Sequence, residues 1–479
     1  MTDFVRIHDK TQVEFKLSYG IDKNKKISKH AVKFYIFIPT NLDIDENSYS
    51  KQNFYEDISG YIRFITPKIT IEEINDRFTS LLKNLQGGFS DFKFIKYELK
   101  MLGCSFRAYL RDFSYHLKEN SISECLGDTI DNIVKTRVII KEISSLKFVK
   151  NNQHISVLVR NLDEYSSMYV ELYLYRILFI LEQNNFYFDL GKKIFEIIKE
   201  ENTYRNINKM SQVNPEDKSN EKFVYKYAML KKYFFEILFL VSRTKGASKF
   251  LKNLLFSLAA GISMIFATLV AFYSQKKYGN FTFSFFVALV LSYMAKDRIK
   301  DLFREMFSGN RVRFFDYVTT ITVSGESVKL GATKERFRYI SDKKLPKSVM
   351  DIRMLDSDMG EMCWKISENI ICYEKQIKLY NKNVAGFYKD KLEGLNDIIR
   401  LNMEHFTRKM DDQKHTIFYP GKDGVEQAQG KKVYHLNIVA EISNQVERKM
   451  YKVRVILSKN GIVRVELPQF KKTIYRRRF

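Results

Sequence analysis

Two stretches of the chain are apolar over most of their length. Leu254–Tyr273 (LLFSLAAGISMIFATLVAFY) holds no charged residue. As a helix rising 1.5 Å per residue it measures about 30 Å, the thickness of a bilayer's hydrocarbon core. Tyr278–Ala295 follows after the polar Ser274-Gln275-Lys276-Lys277. Its core, Phe281–Ala295, reaches only about 22 Å, so Tyr278, Gly279 and Asn280 are needed to complete it near the interface. Soluble helices are rarely apolar on all sides over such a length. The pattern therefore predicts a two-helix transmembrane hairpin over residues 251–296.

Each span carries small residues at four-residue spacing: Ala259, Ser263, Ala267 and Ala271 in the first, Ser284, Ala288 and Ser292 in the second. That spacing keeps a row on one helix face, and small side chains let two backbones approach closely. The ridges are expected to pack the hairpin together; a contact in a homo-oligomer is the second reading. Neither span holds an ionisable residue, which argues against a transport path.

Elsewhere the patterning is that of soluble domains. In residues 1–65 Val13, Phe15 and Leu17 alternate with Glu14 and Lys16, and Ala31–Ile38 is nearly continuously apolar. This predicts a β-hairpin whose second strand is central or covered on both faces. Residues 66–250 read as a helical domain opening at Thr70-Ile71-Glu72-Glu73, with segments near 91–118, 121–147, 162–184, 187–207 and 221–250. Its last helix is expected to run on into the first span. Residues 297–310 carry Ile299, Leu302, Phe303, Met306 and Phe307 at amphipathic helical spacing and read as a stalk helix.

Residues 311–479 read as a mixed domain, with a strand over Val312–Val323 and helices near 360–380 and 384–411. An antiparallel meander closes it, through Tyr434–Ile442, Tyr451–Leu457 and Val463–Leu467. Asn460-Gly461 marks the last turn. A simple two-residue loop there would set Leu457 opposite Arg464 and mix apolar with basic on one face, so a longer loop or a bulge is expected. The fold class is α+β.

Charge gives the hairpin a direction. Arg243, Lys245, Lys249 and Lys252 precede the first span, while Lys296, Arg298, Lys300, Arg304, Arg311 and Arg313 follow the second. The connecting segment has only Lys276 and Lys277. The positive-inside rule then places both termini in the cytoplasm. MTDFVRIHDK is polar, so no cleaved signal peptide is expected. The net charge is +24, and the basic tail includes Lys471, Lys472, Arg476, Arg477 and Arg478. Beside an anionic leaflet each such residue contributes about 1 kcal/mol. Together with Lys249, Lys252, Lys296 and Arg298 they form a membrane-surface set, for which anionic lipid headgroups are the first expected partner and nucleic acid the second. Lys, Ile, Asn, Phe and Tyr are abundant and Pro is scarce, a bias that AT-rich genomes produce and that points to a bacterial inner membrane.

Signals for chemistry are weak. Glu14-Phe15-Lys16 has the ExK form of metal-dependent nucleases, but only Asp3 and Asp9 precede it, and alternation accounts for Glu14 and Lys16 as an exposed face. Asp43-Ile44-Asp45 and Asp356-Ser357-Asp358 are short acidic pairs of a kind common in loops. Cys104, Cys125, Cys363 and Cys372 lack metal-ligand spacing and read as reduced thiols. The seven histidines form no HExxH or HxH, and no Walker A, GxGxxG or GxSxG motif occurs. Gly421-Lys422-Asp423-Gly424 reads as a turn. No catalytic residue, cofactor or metal site is assigned. The expected function is that of a membrane-anchored, non-enzymatic partner-binding or signalling protein. An oligomeric membrane-disrupting or pore-forming effector, of stress or phage-defence type, is the runner-up, and a membrane-tethered enzyme or nucleic-acid binder is third.

Overall fold

A computed structural model describes residues 4–21, 25–89, 91–119, 126–183, 188–246, 248–279, 282–308, 315–323, 328–354, 368–387, 394–411, 414–421 and 424–467. The first strands are β1 (Val5–Ile7), β2 (Gln12–Gly20) and β3 (Ile27–Pro39), followed by helix α1 (Lys51–Asp57) and β4 (Ile58–Phe64). Ser50 caps α1 with a reciprocal capping box to Asn53, which satisfies two otherwise orphaned donors of the first turn. A run of helices comes next: α2 (Ile71–Gln86), α3 (Phe92–Glu119), α4 (Leu126–Ser145), α5 (Lys147–Asn151), α6 (Gln153–Gln183), α7 (Phe188–Ile207) and α8 (Glu221–Phe235). Strand β5 (Leu240–Gly246) leads into two long helices, α9 (Ser248–Tyr278) and α10 (Phe283–Ser308). The remainder is β6 (Tyr317–Val323), β7 (Lys329–Ile340), α11 (Lys347–Met354), β8 (Glu368–Tyr380), α12 (Asn381–Phe387), β9 (Gly394–Asn402), α13 (Glu404–Arg408), β10 (Lys414–Gly421), β11 (Gly424–Lys431), β12 (Tyr434–Asn444), β13 (Arg448–Ser458) and β14 (Gly461–Glu466).

The chain thus mixes helix and sheet, and it divides into two units. One combines Met1–Ile62, Leu240–Phe387 and Leu395–Phe479; the other is Arg63–Phe239 with Tyr388–Gly394. The first is built on an eight-stranded sheet in the order β14-β13-β12-β3-β8-β7-β6-β5 and a four-stranded sheet in the order β1-β2-β9-β4. The β3 sequence explains its place at the centre. Val32, Phe34, Ile36 and Ile38 share one face, and Phe34 meets Phe15 of β2 with ring centroids 4.7 Å apart. Tyr35 and Phe37 share the other face, where Val349 of α11 joins them with Ile370, Cys372 and Val439. With both faces covered, period-two alternation vanishes and the strand reads as a continuous apolar run. Burying each such Phe stabilises the fold by about 1.5–3 kcal/mol.

The expected hairpin of β2 with β3 does not form. The two strands lie in different sheets, because β2 pairs with β1 and β9 while β3 pairs with β12 and β8. The expected helices near 360–380 and 384–411 are also corrected. Residues 355–367 lie outside the described ones, and Glu368–Tyr380 is a strand. Ile370, Ile371, Cys372 and Tyr373 are all buried there, since this strand too is covered on both faces. In β9, Leu395, Ile398 and Ile399 have the i, i+3, i+4 spacing of a helix, yet Gly394 through Ile399 are all buried, a pattern that only a strand between two layers gives.

The C-terminal meander forms as β12, β13 and β14, all antiparallel. Lys459 and Asn460 make a two-residue connection, and a bulge shifts the register between Ile456 and Leu457. Leu457 therefore pairs with Ile462, and Arg464 falls opposite Ile456. Gly461 has φ +119°, and a Cβ there would lie 2.3 Å from the Lys10 carbonyl oxygen, which accepts the Ile462 N–H at 2.7 Å.

In the helical unit α6 is the spine, packing on α3, α4, α5, α7 and α8. Thr70 caps α2 by accepting the Glu73 N–H at 3.3 Å. The helix expected to run from 221 to 250 ends at Phe235, and Leu240 begins a strand instead. A buried ionic network ties α4, α6 and α7 together. Arg137 meets Asp163 at 3.0 Å and Glu201 at 2.9 Å, while Lys141 and Ser167 also bond Glu201, at 2.7 and 2.6 Å.

Candidate functional site

The feature singled out by the sequence is mounted on strands. β5 and β6 pair antiparallel from Leu240↔Val323 to Gly246↔Tyr317. The Thr244 and Thr319 hydroxyls meet across them at 3.0 Å. α9 departs at Ser248, just past the end of this ladder, and the chain that leaves α10 at Ser308 returns to the ladder at Tyr317. The helical hairpin is therefore an insertion between two paired strands, with β5 at the edge of the eight-stranded sheet. Backbone hydrogen bonds resist extension along a ladder, so the two ends of the insertion are held at one fixed point of the sheet.

α9 and α10 pack against each other. Ser274-Gln275-Lys276-Lys277, expected as the connecting loop, forms the last turn of α9 instead. The helix stops at Gly279, whose φ of +72° and N–H bond to the Gln275 carbonyl at 3.0 Å close it, the left-handed termination glycine permits. Ala259, Ser263 and Ser274 are buried on α9 and Ser292 on α10, where the Ser292 hydroxyl donates to the Ala267 carbonyl at 3.2 Å. Ala267, Ala271 and Ala288 are half-buried and Ser284 is exposed. Ser274 extends the row beyond the four residues read from the sequence.

The opposite faces are apolar and uncovered. Leu258, Ile265, Leu269 and Phe272 of α9 are each more than half exposed, as are Phe283, Phe286, Leu291 and Met294 of α10. Contiguous exposed apolar area of this extent marks a surface meant for something other than water. Among the described residues one helical stretch, Phe256–Tyr278, is long and apolar enough to cross a membrane by length and composition. The uncharged part of α10, Phe283–Ala295, is about 20 Å long. The second of the two expected spans, read from the sequence as the shorter, does not reach that length, because the chain turns at Gly279 and Lys296 follows soon after.

The basic set is dispersed. Lys249 and Lys252 lie in the first turns of α9. Lys296 on α10 places its ammonium 3.7 Å from the Tyr293 ring centroid and 3.8 Å from Asp297. Arg298 is exposed. Lys471, Lys472, Arg476, Arg477 and Arg478 lie outside the described residues. In the expected stalk, Leu302 is exposed, and α10 runs through Ser308 without a break at 297.

Other polar constellations are internal. Glu14, expected on an exposed face, is buried, and it bonds Arg6 at 2.7 Å and Arg400 at 2.8 Å. Burial works against its charge, but these two guanidiniums hold its carboxyl below the ordinary value. Asp45 accepts the Asn47 and Ser48 N–H groups and shapes a turn. Asp57 accepts from Tyr49 and lies 2.7 Å from His405 Nδ1; burial raises its carboxyl above the ordinary value in spite of both partners. Lys375 pairs with Asp397 at 2.8 Å between the two sheets. Sequence reasoning missed these pairs; the available signal was a charge, Asp397 or Lys375, inside a buried strand. No group of metal-ligating side chains occurs among the described residues. Compared with family models, curated proteins and solved structures, the chain shows no match.

Proposed function

We propose that this chain is a two-pass membrane protein of a bacterial inner membrane, whose flanking parts bind a partner or signal on the cytoplasmic side. The observation that carries the reading is the uncovered apolar surface of α9 and α10, which lipid would cover. A first span over Phe256–Tyr278 and a shorter second one, completed near the interface by the residues around Gly279, make the hairpin. Tyr278 at one end and Tyr293 with Lys296 at the other suit the headgroup zone. Insertion between β5 and β6 makes the hairpin a coupling, since strain at the sheet edge reaches both helices through one ladder.

Neutral residues over Phe256–Gln275 and Phe283–Ala295, with Lys276 and Lys277 only in the last turn of α9, favour an anchor over a transport path. The second reading is an oligomeric membrane-disrupting effector, and the exposed Ser284 favours it, since one small residue of the α10 row is left uncovered by α9. Reporter fusions at residue 479 and within 279–282 test the topology. Cytoplasmic activity at 479 with periplasmic activity at the turn is the expected result, and a periplasmic C-terminus overturns the proposal. Chemical crosslinking in native membranes separates the two readings: a ladder of homo-oligomers accompanied by dye leakage on induction supports the effector.

A further inference from the structure

The eight-stranded sheet has a face that α11 covers only at one end. The register places Arg338, Cys372, Tyr35 and Val439 in one row across β7, β8, β3 and β12. That row abuts α11, which contacts Cys372, Tyr35 and Val439. The next rows on the same face are Arg336–Glu374–Lys33, Lys334–Gln376–Ala31 and Ala332–Lys378–Lys29. Lys29, Lys334 and Lys378 are exposed, while Lys33, Arg336 and Arg338 are half-buried.

Six cations thus share this part of the face with two carboxylates: Glu374, which accepts a bond from Gln376 at 2.8 Å, and Glu441 of β12, which the register sets beside Lys33 and which pairs with Arg448 at 2.9 Å. Among the described residues none of the six lies within ion-pairing distance of a carboxylate. Like charges two positions apart on one strand repel, and burial, with the Arg338 charge second, pulls the Arg336 guanidinium below its ordinary value. Glu374 and Asp316 offset part of this for Arg336, and an anion lying across the rows would offset the rest.

We propose that this uncovered face binds the phosphate backbone of a single-stranded nucleic acid. Cations on one strand repeat every two residues, about 7 Å apart, a spacing comparable to that of consecutive phosphates in an extended strand. Arg336 and Arg338 supply forked donors for phosphate oxygens, and Lys334, Lys378, Lys29 and Lys33 supply point charges. Gln376 offers a neutral donor among them. Tyr380 lies on the same side of β8, with the Lys378 ammonium 5.4 Å and the Lys329 ammonium 5.8 Å from its ring centroid, so cations and an aromatic ring alternate as in base-stacking grooves. A bilayer-docking surface joins its cations to apolar side chains that insert. Here the open rows offer Ala31, Ala332 and the half-buried Val318 beside Lys334, while Met450 packs on the α11 cluster; none is a large exposed apolar side chain, which favours a soluble polyanion over lipid.

The test uses the full-length protein in neutral-lipid nanodiscs and a fluorescent oligothymidylate of about 30 nucleotides, read by anisotropy against salt. The variant Lys29→Glu/Lys334→Glu/Lys378→Glu changes only exposed side chains; circular dichroism and thermal unfolding check that it folds as the parent does. The expected result is at least a tenfold loss of affinity and a shallower salt dependence, with Lys209→Glu/Lys218→Glu/Lys222→Glu, in the helical unit, unchanged. Equal losses in both variants would reduce the effect to net charge and overturn the proposal. So would parental affinity in the sheet variant, or failure of the parent to bind at 0.15 M salt. If the sheet variant instead loses binding to phosphatidylserine vesicles while keeping the oligonucleotide, the face is a lipid site and the proposal falls.

Discussion

The Ser292 hydroxyl on α10 donates to the carbonyl oxygen of Ala267 on α9 at 3.2 Å. Such a bond needs the two backbones close, and Ser263 and Ala259, both buried, make the approach feasible. Ser292→Ala removes one interhelical bond, worth about 0.6 kcal/mol in a membrane, and should shift thermal unfolding in detergent only slightly. Ser263→Leu inserts a branched side chain where a hydroxymethyl group fits, and overpacking costs about 1–3 kcal/mol. It should lower the unfolding temperature clearly more than Ser292→Ala does. Equal, negligible effects would mean that the two helices do not depend on this seam.

Lys375 and Asp397 form an ion pair with both side chains almost wholly out of solvent. Breaking such a pair leaves one charge buried without compensation, at a cost of about 3–5 kcal/mol. Lys375→Met should therefore be severely destabilising in urea titrations of the full chain. Lys375→Met/Asp397→Leu removes both charges and should recover much of the loss. A double variant less stable than the single one would show that the pair contributes more than charge balance.

How far these features were legible in the sequence depends on how many faces each element buries. α2, α3 and α7 bury one stripe and keep a 3.6-residue period, so their positions follow from pattern alone. β12 and β13 are buried on both faces at mid-strand, but polar residues such as Asn437, Glu441 and Lys452 on one face preserve the alternation, so these strands were readable from the sequence. β3 was recognisable as doubly covered because its apolar run ends at Pro39. β8 and β9 were not, since a doubly buried strand has no period of its own, and the chance spacing of Leu395, Ile398 and Ile399 imitated a helix. The partners of β2 were hidden because β9 lies nearly four hundred residues away in the chain. The hairpin residues 254–273 were the plainest signal, yet its turn was misplaced. Lys276 and Lys277 look like a loop but sit in the last helical turn, and Gly279 supplies the stop.

Gly461 opens β14 with φ +119°, and no Cβ fits there, 2.3 Å from the Lys10 carbonyl oxygen. Gly461→Ala should strain the backbone by about 1–3 kcal/mol and push Lys10 off its bond with the Ile462 N–H. The unfolding midpoint in urea should fall. Hydrogen exchange should rise at Ile462, whose amide holds that bond at 2.7 Å. Exchange at Ile462 matching the parent would mean that the Lys10 segment can retreat freely.

Glu201 lies in the helical unit against Arg137, Lys141 and Ser167. Burial by itself would raise its carboxyl, but the Arg137 charge and the hydrogen bonds from all three partners draw it down to about 2, from an ordinary 4.5. A carboxyl depressed in the folded state stabilises fully above its unfolded value, and the contribution disappears as pH falls through the folded value. The window therefore runs from about pH 4.5 down to about pH 2, and the contribution is about 3 kcal/mol at neutral pH. Other carboxylates titrate in the same range, so the informative quantity is the stability gap between the parent and Glu201→Gln. That gap should be largest at pH 6–7, where the variant leaves Arg137 with Asp163 as its one remaining acidic partner among the described residues, and it should narrow steadily below pH 4.5. Denaturant titrations of both proteins across pH 3–7 measure it. A gap that stays constant with pH would mean that the glutamine loss comes from packing and hydrogen-bond geometry, and that the Arg137 charge does not hold Glu201 ionised.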